Sequence, residues 1–362
     1  MKNLSVYFIS NTYWSLWNFR RNLIDAIVTN DRDVTLIAST DNYLDKFQNK
    51  EVNTYSVRKP KYLSPIFFIL KTIFILVWNK PNLVYSFTHL GNISAGLARK
   101  IISFKFVANL SGLGRLYSPY SKSKLSKSIL TFLIKFTLRS ASKIFVQNKD
   151  DQNWVIKLLP SKEDQIILLP GSGSDLQRFR YCEPNLISPT DPKNILMMSR
   201  LLPEKGVYWF LNAAKELNNI NLNFTLIGAK DDKYTDLYNL VNKYNQESII
   251  TYFGHVDDVL PFIQDAYYVV LPSQYREGTP KSLIEALAVG KPLITTDMPG
   301  CRDTIDRNGY LVNSYEEFID ALKAVSNQAS EEYSELCKNS RKLAELKFDE
   351  NEIIQRYVSE IG

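Results

Sequence analysis

Residues 194–228 read NILMMSRLLPEKGVYWFLNAAKELNNINLNFTLIG and contain one complete strand–helix–strand unit. The apolar segments Asn194–Ser199 and Asn223–Gly228 have the length of strands, and a helical pattern that runs through Asn218 separates them. Strands that alternate with helices in this way predict a parallel sheet with right-handed crossovers. The stretch therefore predicts an α/β domain.

The same alternation continues on both sides of this unit. Further strands are predicted downstream at Ile249–Phe253, Tyr267–Pro272 and Pro292–Thr296, with helices near Tyr234–Tyr244 and at Pro280–Val289. Upstream strands are predicted at Ser5–Ser10, Val34–Ser39, Asn82–Phe87, Lys105–Leu110, Lys143–Gln147 and Gln165–Pro170. Upstream helices are predicted at Phe19–Thr29, Pro65–Trp78, Asn92–Ile102 and Leu125–Ser140. The pattern is interrupted once, by the proline-containing segment Ser174–Lys193.

Two doubly wound, Rossmann-like α/β domains with a cleft between them are the predicted fold. A chain of 362 residues has a suitable length for two such domains. The predicted parts are an N-terminal acceptor- and membrane-facing domain (1–174), a linker (175–193), a C-terminal donor domain (194–345) and a C-terminal helix (346–362). That last helix is expected to pack back on the first domain.

Composition indicates a folded protein of a reducing compartment. The three cysteines, Cys182, Cys301 and Cys337, are scattered and show neither metal-site nor redox-motif spacing, as expected for the cytosol. The N-terminus reads as a first strand and not as a signal peptide. The apolar segment Ile66–Trp78 is shorter than the roughly 20 residues of a membrane span and contains Lys71. A buried or surface-embedded helix is expected there.

Charge is distributed unevenly along the chain. Residues 1–175 contain 24 Lys and Arg against 11 Asp and Glu, whereas the remainder has an acidic excess. Between Val52 and Lys149 there is no acidic residue, but there are sixteen basic ones. Such a field attracts an anionic partner: nucleic acid, an anionic membrane leaflet or a phosphorylated substrate.

Two cations follow a predicted strand of the second domain. Arg200 comes directly after the strand Asn194–Ser199, and Lys205 precedes Gly206 at the start of the next helix. Ligands bind at the carboxyl ends of parallel strands, where an arginine and a lysine five residues apart can converge on one diphosphate. The alternative is a pair of solvated loop cations.

A second loop of this domain carries two glutamates. Thr279 is a plausible N-cap and Pro280 suits the first helical position, so the backbone N–H groups of the Pro280 helix form an anion site. Glu277 lies just before that site and Glu285 lies about two turns into the helix, where one can reach sugar hydroxyls and the other ribose hydroxyls. The alternative pairs Glu285 with Lys281 and leaves Glu277 exposed.

Glu277 and Glu285, with seven residues between them, match the Glu-x7-Glu signature of retaining GT-B glycosyltransferases. The surrounding Leu-Pro-Ser and Glu-Ala-Leu-Ala-x-Gly-Lys-Pro sequences resemble glycosyltransferase family 4, the group 1 transferases. The resemblance covers essentially the whole chain and extends to bacterial enzymes that elongate lipid-diphosphate-linked glycans for O-antigen, capsule or protein N-glycans. It implies the following donor-binding residues: Arg200, Lys205, Glu277, Gly278, Thr279, Pro280, Ser282, Leu283, Glu285 and, in the interdomain loop, Gly173.

The resemblance also implies a mechanism without metal or cofactor. Arg200, Lys205 and the Pro280 helix stabilise the departing diphosphate, and the anomeric configuration is retained by front-face displacement. Adjacent acids such as Asp231-Asp232 lack the Asp-x-Asp spacing of metal-using transferases, so no metal is expected. Glu277 and His89 complete the predicted catalytic set. His89 occupies a region where family members contact the transferred sugar or the acceptor; the alternative is a hydrogen-bonded loop histidine.

The acceptor side departs from the family pattern. Family members commonly carry Gly-Gly after the first strand, whereas this chain has Asn11-Thr12-Tyr13-Trp14 in the predicted loop Asn11–Asn18. We expect the side chains of Asn11, Tyr13 and Trp14 to contact the acceptor.

A basic, apolar segment at Ser118–Lys143 suits an anionic inner leaflet, where each cation near the surface is worth roughly 1 kcal/mol. The residues predicted to face acceptor or membrane are Arg115, Lys122, Lys124, Lys127 and Lys135. The alternative is a packed helix with a solvated basic face. Nucleic acid is not expected as a partner, because no nucleic-acid-binding motif accompanies the charge.

The sequence thus predicts a transferase that moves a hexose or N-acetylhexosamine from a nucleoside diphosphate sugar, UDP-linked by the family's precedent, to a lipid-linked glycan. We expect it to be peripheral on the cytoplasmic face of the cytoplasmic membrane. Two alternatives remain open. One is a nucleotide-sugar epimerase or hydrolase, which would turn over donor alone. The other is a non-catalytic subunit of a glycan-assembly complex.

Overall fold

A computed structural model of the chain describes residues 4–30, 32–57, 64–114, 124–184 and 191–361. The chain divides into two compact units. Unit 1 comprises Met1–Gly112, Lys122–Ser172 and Asn351–Gly362, and unit 2 comprises Leu113–Ser121 and Gly173–Glu350. Each unit contains one parallel sheet with helices packed on it. The predicted α/β fold with two doubly wound domains is confirmed.

Unit 1 has a seven-stranded parallel sheet in the order β3-β2-β1-β4-β5-β6-β7. Its strands are β1 (Ser5–Thr12), β2 (Asp33–Ser39), β3 (Val52–Val57), β4 (Leu83–Ser86), β5 (Lys105–Leu110), β6 (Lys143–Val146) and β7 (Ile166–Leu168). Its helices are α1 (Tyr13–Val28), α2 (Ser64–Asn79), α3 (His89–Ala98), α4 (Lys124–Leu138) and α5 (Lys149–Leu158). Strand order reverses between β1 and β4, which is the topological switch point typical of ligand-binding α/β sheets.

Unit 2 has a six-stranded parallel sheet in the order β10-β9-β8-β11-β12-β13. Its strands are β8 (Lys193–Met198), β9 (Leu222–Ile227), β10 (Thr251–Tyr252), β11 (Tyr268–Leu271), β12 (Leu293–Thr296) and β13 (Gly309–Val312). Its helices are α6 (Val207–Glu216), α7 (Thr235–Gln246), α8 (Leu260–Asp265), α9 (Lys281–Val289), α10 (Tyr315–Ser326) and α11 (Ser330–Lys347). The switch point lies between β8 and β11, so the loops that follow these two strands are neighbours.

The structure differs from the sequence predictions at three places. The strand β3 was not predicted, because this edge strand exposes most of its side chains and carries no apolar alternation. The short strand β13 was also not predicted. The predicted loop Asn11–Asn18 is wrong: β1 runs to Thr12, whose side chain accepts a hydrogen bond from the Ser15 N–H and caps α1.

The last helix, α12 (Glu350–Val358), packs on unit 1 as predicted. Its Tyr357 is fully buried; the ring lies perpendicular to that of Phe145, with 4.9 Å between centroids. The Tyr85 hydroxyl donates to the Tyr357 carbonyl oxygen over 2.6 Å, and the Tyr357 hydroxyl donates to Asn109 Oδ1. Residues far apart in the sequence thus complete the core of unit 1. Among the described residues, no helix is both long enough and apolar enough to cross a membrane.

Replacing Tyr357 by alanine should destabilise unit 1 by about 3–5 kcal/mol, because a large aromatic ring is removed from a closed core. Leu346→Ala is the control, since that side chain is 76% exposed, and it should change stability by less than about 0.5 kcal/mol. Urea unfolding followed by tryptophan fluorescence measures both, because Trp14, Trp17, Trp78 and Trp154 all lie in unit 1. Equal midpoints for the two variants would contradict the assigned packing of α12.

Candidate active site

Lys205 lies at the carboxyl end of the unit 2 sheet. After β8 the chain forms a short 3-10 helix, Pro203–Lys205, and turns into α6 through Gly206 at φ +80°. A Cβ atom on Gly206 would lie 1.9 Å from the Pro272 carbonyl oxygen. Only glycine allows this close approach of the β8 and β11 loops. The approach places Lys205 beside the loop that carries Glu277.

Lys205 and Glu277 form a largely buried ion pair. The Lys205 Nζ atom lies 2.6 Å from Glu277 Oε1, and the two side chains are only 16% and 10% exposed. The Ser273 hydroxyl, itself fully buried, donates to the same Oε1 over 3.0 Å. Burial by itself lowers the pKa of Lys205, but the adjacent Glu277 carboxylate more than reverses this, and the pKa is raised. The lysine is therefore a fixed positive charge.

The Glu277 loop is held by the loop that follows β12. The Glu277 N–H donates to the Pro299 carbonyl oxygen over 3.1 Å. Gly300 has φ +82°, and a Cβ atom there would lie 1.6 Å from the Gly278 carbonyl oxygen. Ser273 and Pro299 were not among the predicted site residues. The available signals were the position of Ser273 four residues before Glu277 and the Pro-Gly sequence at 299–300.

The N-terminus of α9 follows this loop, but its cap differs from the prediction. Pro280 is the N-cap, with extended backbone, and Lys281 is the first helical residue. The prediction that Thr279 caps the helix is therefore wrong by one residue. The positive end of the α9 dipole still points toward the end of the sheet where Glu277 lies. Of the first-turn residues predicted to bind a donor, Ser282 is half-buried and the Leu283 side chain is fully buried in the core.

The alternative that the sequence left open pairs Glu285 with Lys281 and leaves Glu277 exposed. Glu285 is indeed near Lys281, with 4.0 Å between Oε1 and Nζ. Glu277 is not exposed, because it is buried against Lys205 and Ser273. The half of the alternative that made Glu277 a solvated side chain is therefore wrong.

Arg200 lies at the same sheet edge but remains 56% exposed, 3.8 Å from Asp231. Burial raises the pKa of Tyr275, and the positive charges of Lys205 and Arg200 oppose that rise. The Lys205 Nζ atom lies 5.4 Å from the centre of the Tyr275 ring. Both predicted cations thus act on one aromatic side chain. Tyr275 was not among the predicted site residues.

Gly173 adopts a left-handed backbone conformation, φ +73°, where unit 2 begins. The next residue, Ser174, pairs with Asp349 in an isolated parallel bridge. The predicted role of Gly173 in donor binding stays a prediction.

His89 begins α3 in unit 1, directly after the N-cap Thr88. Burial lowers the pKa of the imidazole, and a hydrogen bond to the Gly112 backbone only partly opposes this. Its Nδ1 atom is buried and has no partner in the described part of the chain. The Thr88 hydroxyl donates to Asn11 Oδ1 over 2.8 Å. The end of β1 and the loops after β4 and β5 thus meet near a neutral histidine.

The predicted acceptor residues separate into different environments. Asn11 accepts a hydrogen bond from the hydroxyl of Thr88, the residue that precedes His89. The Trp14 side chain is 38% exposed, and the backbone N–H of Trp14 donates to Asp41 Oδ2. Tyr13 is fully buried, its hydroxyl 3.4 Å from Ser56 Oγ and its ring against Phe47. Its position in the core does not support the predicted acceptor contact, because no acceptor can reach a side chain with no exposed surface.

Of the basic residues predicted to face acceptor or membrane, Lys127 and Lys135 lie on α4, half-buried. Arg115 and Lys122 lie outside the described residues, as does the side chain of Lys124. Within the ranges that the structure describes, no group of three His, Cys, Asp or Glu side chains could hold a metal ion.

Comparison with known proteins identifies the class of protein. Residues 192–328 match the family described as Glycosyl transferases group 1. Over 99% of both chains, the fold is similar to HepE from Anabaena, whose structure is known with UDP and glucose, at a TM-score of 0.79 and 17% identity. The chain is therefore a glycosyltransferase of GT-B fold with a group 1 domain in its second unit, which confirms the resemblance found in the sequence.

Two curated relatives are more specific. The chain is 29% identical, over 98% of its length and 97% of the relative, to N,N'-diacetylbacillosaminyl-diphospho-undecaprenol alpha-1,3-N-acetylgalactosaminyltransferase of Campylobacter jejuni. It is 26% identical, over 57% of each chain, to UDP-Gal:alpha-D-GlcNAc-diphosphoundecaprenol alpha-1,3-galactosyltransferase of Escherichia coli.

The lowered pKa of His89 predicts how acid affects stability. Because the folded-state pKa lies below the unfolded value, the unfolded chain binds the proton first, and stability falls as pH drops below about 6.5. His89→Asn should lose less stability than the wild type between about pH 7 and about pH 5. Urea unfolding at both pH values measures this difference. His255→Asn is the control, because that side chain is half exposed. Parallel pH profiles for wild type and His89→Asn would contradict the lowered pKa of the His89 imidazole.

Proposed function

We propose that the protein transfers a hexose or N-acetylhexosamine from a nucleoside diphosphate sugar, UDP-linked, to a lipid-diphosphate-linked glycan during assembly of a bacterial surface polysaccharide or related glycan. The buried Lys205–Glu277 ion pair within a group 1 domain carries the proposal. The two relatives are both named for activity on diphospho-undecaprenol-linked sugars, which supports the acceptor class.

The ion pair suits a donor that carries both a diphosphate and a sugar. A diphosphate offers Lys205 a stronger negative partner than one carboxylate does, and the α9 N-terminus adds to the attraction. Once Lys205 is engaged, Glu277 becomes available to accept hydrogen bonds from sugar hydroxyls. Ser273, which donates to Glu277 Oε1, keeps the carboxylate oriented during that exchange.

The reaction follows from this placement. The bond between the anomeric carbon and the phosphate oxygen breaks, a bond to the acceptor hydroxyl oxygen forms on the same face, and the hydroxyl proton passes to the departing phosphate oxygen. Lys205, Arg200 and the α9 dipole stabilise the charge that grows on the diphosphate. No metal is required in this scheme, and the configuration is retained. His89, uncharged and at the switch point of unit 1, is the proposed partner of the transferred sugar or the acceptor.

The location of the reaction follows from the acceptor. A glycan held on a lipid diphosphate stays at the membrane, so we propose that the enzyme works as a peripheral protein on the cytoplasmic face of the cytoplasmic membrane. Nucleic acid is not part of the proposal.

Transfer from UDP-sugars to a lipid-diphosphate-linked acceptor should fall at least about 100-fold in Lys205→Ala and in Glu277→Gln, because each removes a group needed in the transition state. Both variants should keep the far-ultraviolet circular dichroism of the wild type. Glu345→Gln is the matched control: it removes the Arg341–Glu345 pair, whose 2.6 Å separation equals that of the site pair, and should leave transfer unchanged.

Each contrary outcome identifies a different alternative. Full activity in both site variants would overturn the proposed site. Rapid turnover of a UDP-sugar without acceptor would favour an epimerase or hydrolase. A wild-type protein that binds no nucleotide sugar would favour a non-catalytic subunit.

A further inference from the structure

The helix α2 leaves a row of large apolar side chains in solvent. Ile66, Leu70, Phe74 and Trp78 recur every four residues and are 58%, 62%, 66% and 77% exposed. The rings of Phe74 and Trp78 stack with 6.1 Å between centroids. Four exposed apolar residues at this spacing form one continuous stripe on a helix surface. Soluble proteins rarely expose contiguous apolar surface without using it.

The opposite face of α2 packs into the core of unit 1. Phe68, Thr72, Ile75 and Leu76 are buried against the unit. The charge of Lys71 does not interrupt the exposed stripe, because its Nζ atom donates to the Ser56 carbonyl oxygen at the end of β3. Core packing therefore accounts for one face of α2 and leaves the other without a partner in the described part of the chain.

A second helix continues the apolar surface. The buried helix α3 packs against both α2 and α4. Its Gly96 allows close packing, since a Cβ atom there would lie 2.5 Å from the Thr137 Cβ on α4. On the solvent side of α4, Ile129, Phe132 and Phe136 are exposed, and the last two rings stack. We use the name α2–α4 face for six of these exposed apolar residues: Ile66, Leu70, Phe74, Trp78, Phe132 and Phe136.

The chain segment that carries this face has charge of one sign only. The whole sequence from Val52 to Lys149 lacks Asp and Glu and includes α2, α3 and α4. The Lys100 Nζ atom lies 5.4 Å from the centre of the Phe136 ring, so a cation borders the apolar residues directly. Lys135 on α4 and exposed Lys80 after α2 belong to the same acid-free stretch. An apolar surface that lies beside cations and on a stretch of chain without acidic residues complements a layer of anionic headgroups over hydrocarbon.

We propose that the α2–α4 face is a docking surface for an anionic lipid bilayer, with α2 lying flat in the headgroup region and inserting Leu70, Phe74 and Trp78. From Ile66 to Trp78 the stripe spans about 18 Å, at about 1.5 Å per residue. That length suits a helix in the plane of the interface and not one that spans the roughly 30 Å of hydrocarbon. The inference rests on the proposed function in one respect, because it explains how the enzyme stays at its lipid-linked acceptor. It assigns the insertion to α2, for which the sequence left a buried and a surface-embedded helix open, and not to the basic segment at Ser118–Lys143.

The test is co-sedimentation of the full-length protein with vesicles of phosphatidylcholine alone or mixed with phosphatidylglycerol. The wild type should bind the mixed vesicles, and binding should weaken at high salt, because screening reduces the attraction of the cations. Phe74→Ser/Trp78→Ser should bind at least about tenfold more weakly, since two large apolar side chains no longer leave water. Lys100→Gln/Lys135→Gln should reduce the preference for phosphatidylglycerol. Leu346→Ser, an equally exposed apolar position in unit 2, is the control and should bind as the wild type does.

Three results would overturn the proposal. The first is wild-type protein that ignores phosphatidylglycerol vesicles, and the second is a Phe74→Ser/Trp78→Ser variant that binds them unchanged. The third is light scattering that shows a wild-type dimer in the absence of vesicles and a monomer for Phe74→Ser/Trp78→Ser. In that case the face would join two copies of the chain. Transfer to a water-soluble, short-chain acceptor separates docking from function. Phe74→Ser/Trp78→Ser should retain transfer to this soluble acceptor. If the wild type shows no such transfer, the result counts against the proposed function alone.

Discussion

The loops after β8, β11 and β12 must come together at one edge of the sheet, because parallel neighbours present their carboxyl ends on the same side. Two glycines then allow contacts that no side chain would permit: Gly206 against the Pro272 carbonyl and Gly300 against the Gly278 carbonyl. The Lys205–Glu277 ion pair is the chemical result of this backbone packing. The arrangement of the donor site depends on it, since these contacts fix where the cation, the carboxylate and the α9 N-terminus lie.

An ion pair this deeply buried is poorly explained by stability. Removing two charges from water costs free energy that their attraction only roughly repays, and apolar residues of similar size often serve as well. A role in donor binding explains the pair better. A diphosphate can replace Glu277 as the partner of Lys205, and sugar hydroxyls can replace Lys205 as the partner of Glu277. Unit 1 shows a related feature at its surface. Its core requires only one face of α2, yet Phe74 and Trp78 are exposed on the other, which a lipid surface explains and internal packing does not.

The sequence was most informative where local chemistry determines structure. Strand–helix alternation predicted both sheets, and the spacing of Glu277 and Glu285 directed attention to the loop that the structure places against Lys205. Contacts between distant residues could not be predicted. The position of Ser273 four residues before Glu277 and the Pro-Gly sequence at 299–300 were the local signals, but neither identifies Ser273 as the second partner of Glu277 or Pro299 as the acceptor for its N–H. Tyr13 seemed available to an acceptor because the start of α1 was placed too late, and helix starts are weakly specified when Thr12 is the only cap signal. For α2 the sequence could not decide between a buried and a surface-embedded helix, because its uniform hydrophobicity carries no periodic signal.

Calorimetric titration with UDP and with a UDP-sugar tests the central claim, that the donor replaces the Lys205–Glu277 pair, most directly. For Lys205→Ala, UDP affinity should fall at least about tenfold, because a charge-assisted contact to phosphate is lost. For Glu277→Gln, UDP affinity should be kept or increased, since Lys205 no longer has a competing carboxylate, while the added affinity of the sugar should disappear. Unchanged UDP affinity in Lys205→Ala, or equal losses for UDP and UDP-sugar in Glu277→Gln, would contradict the exchange.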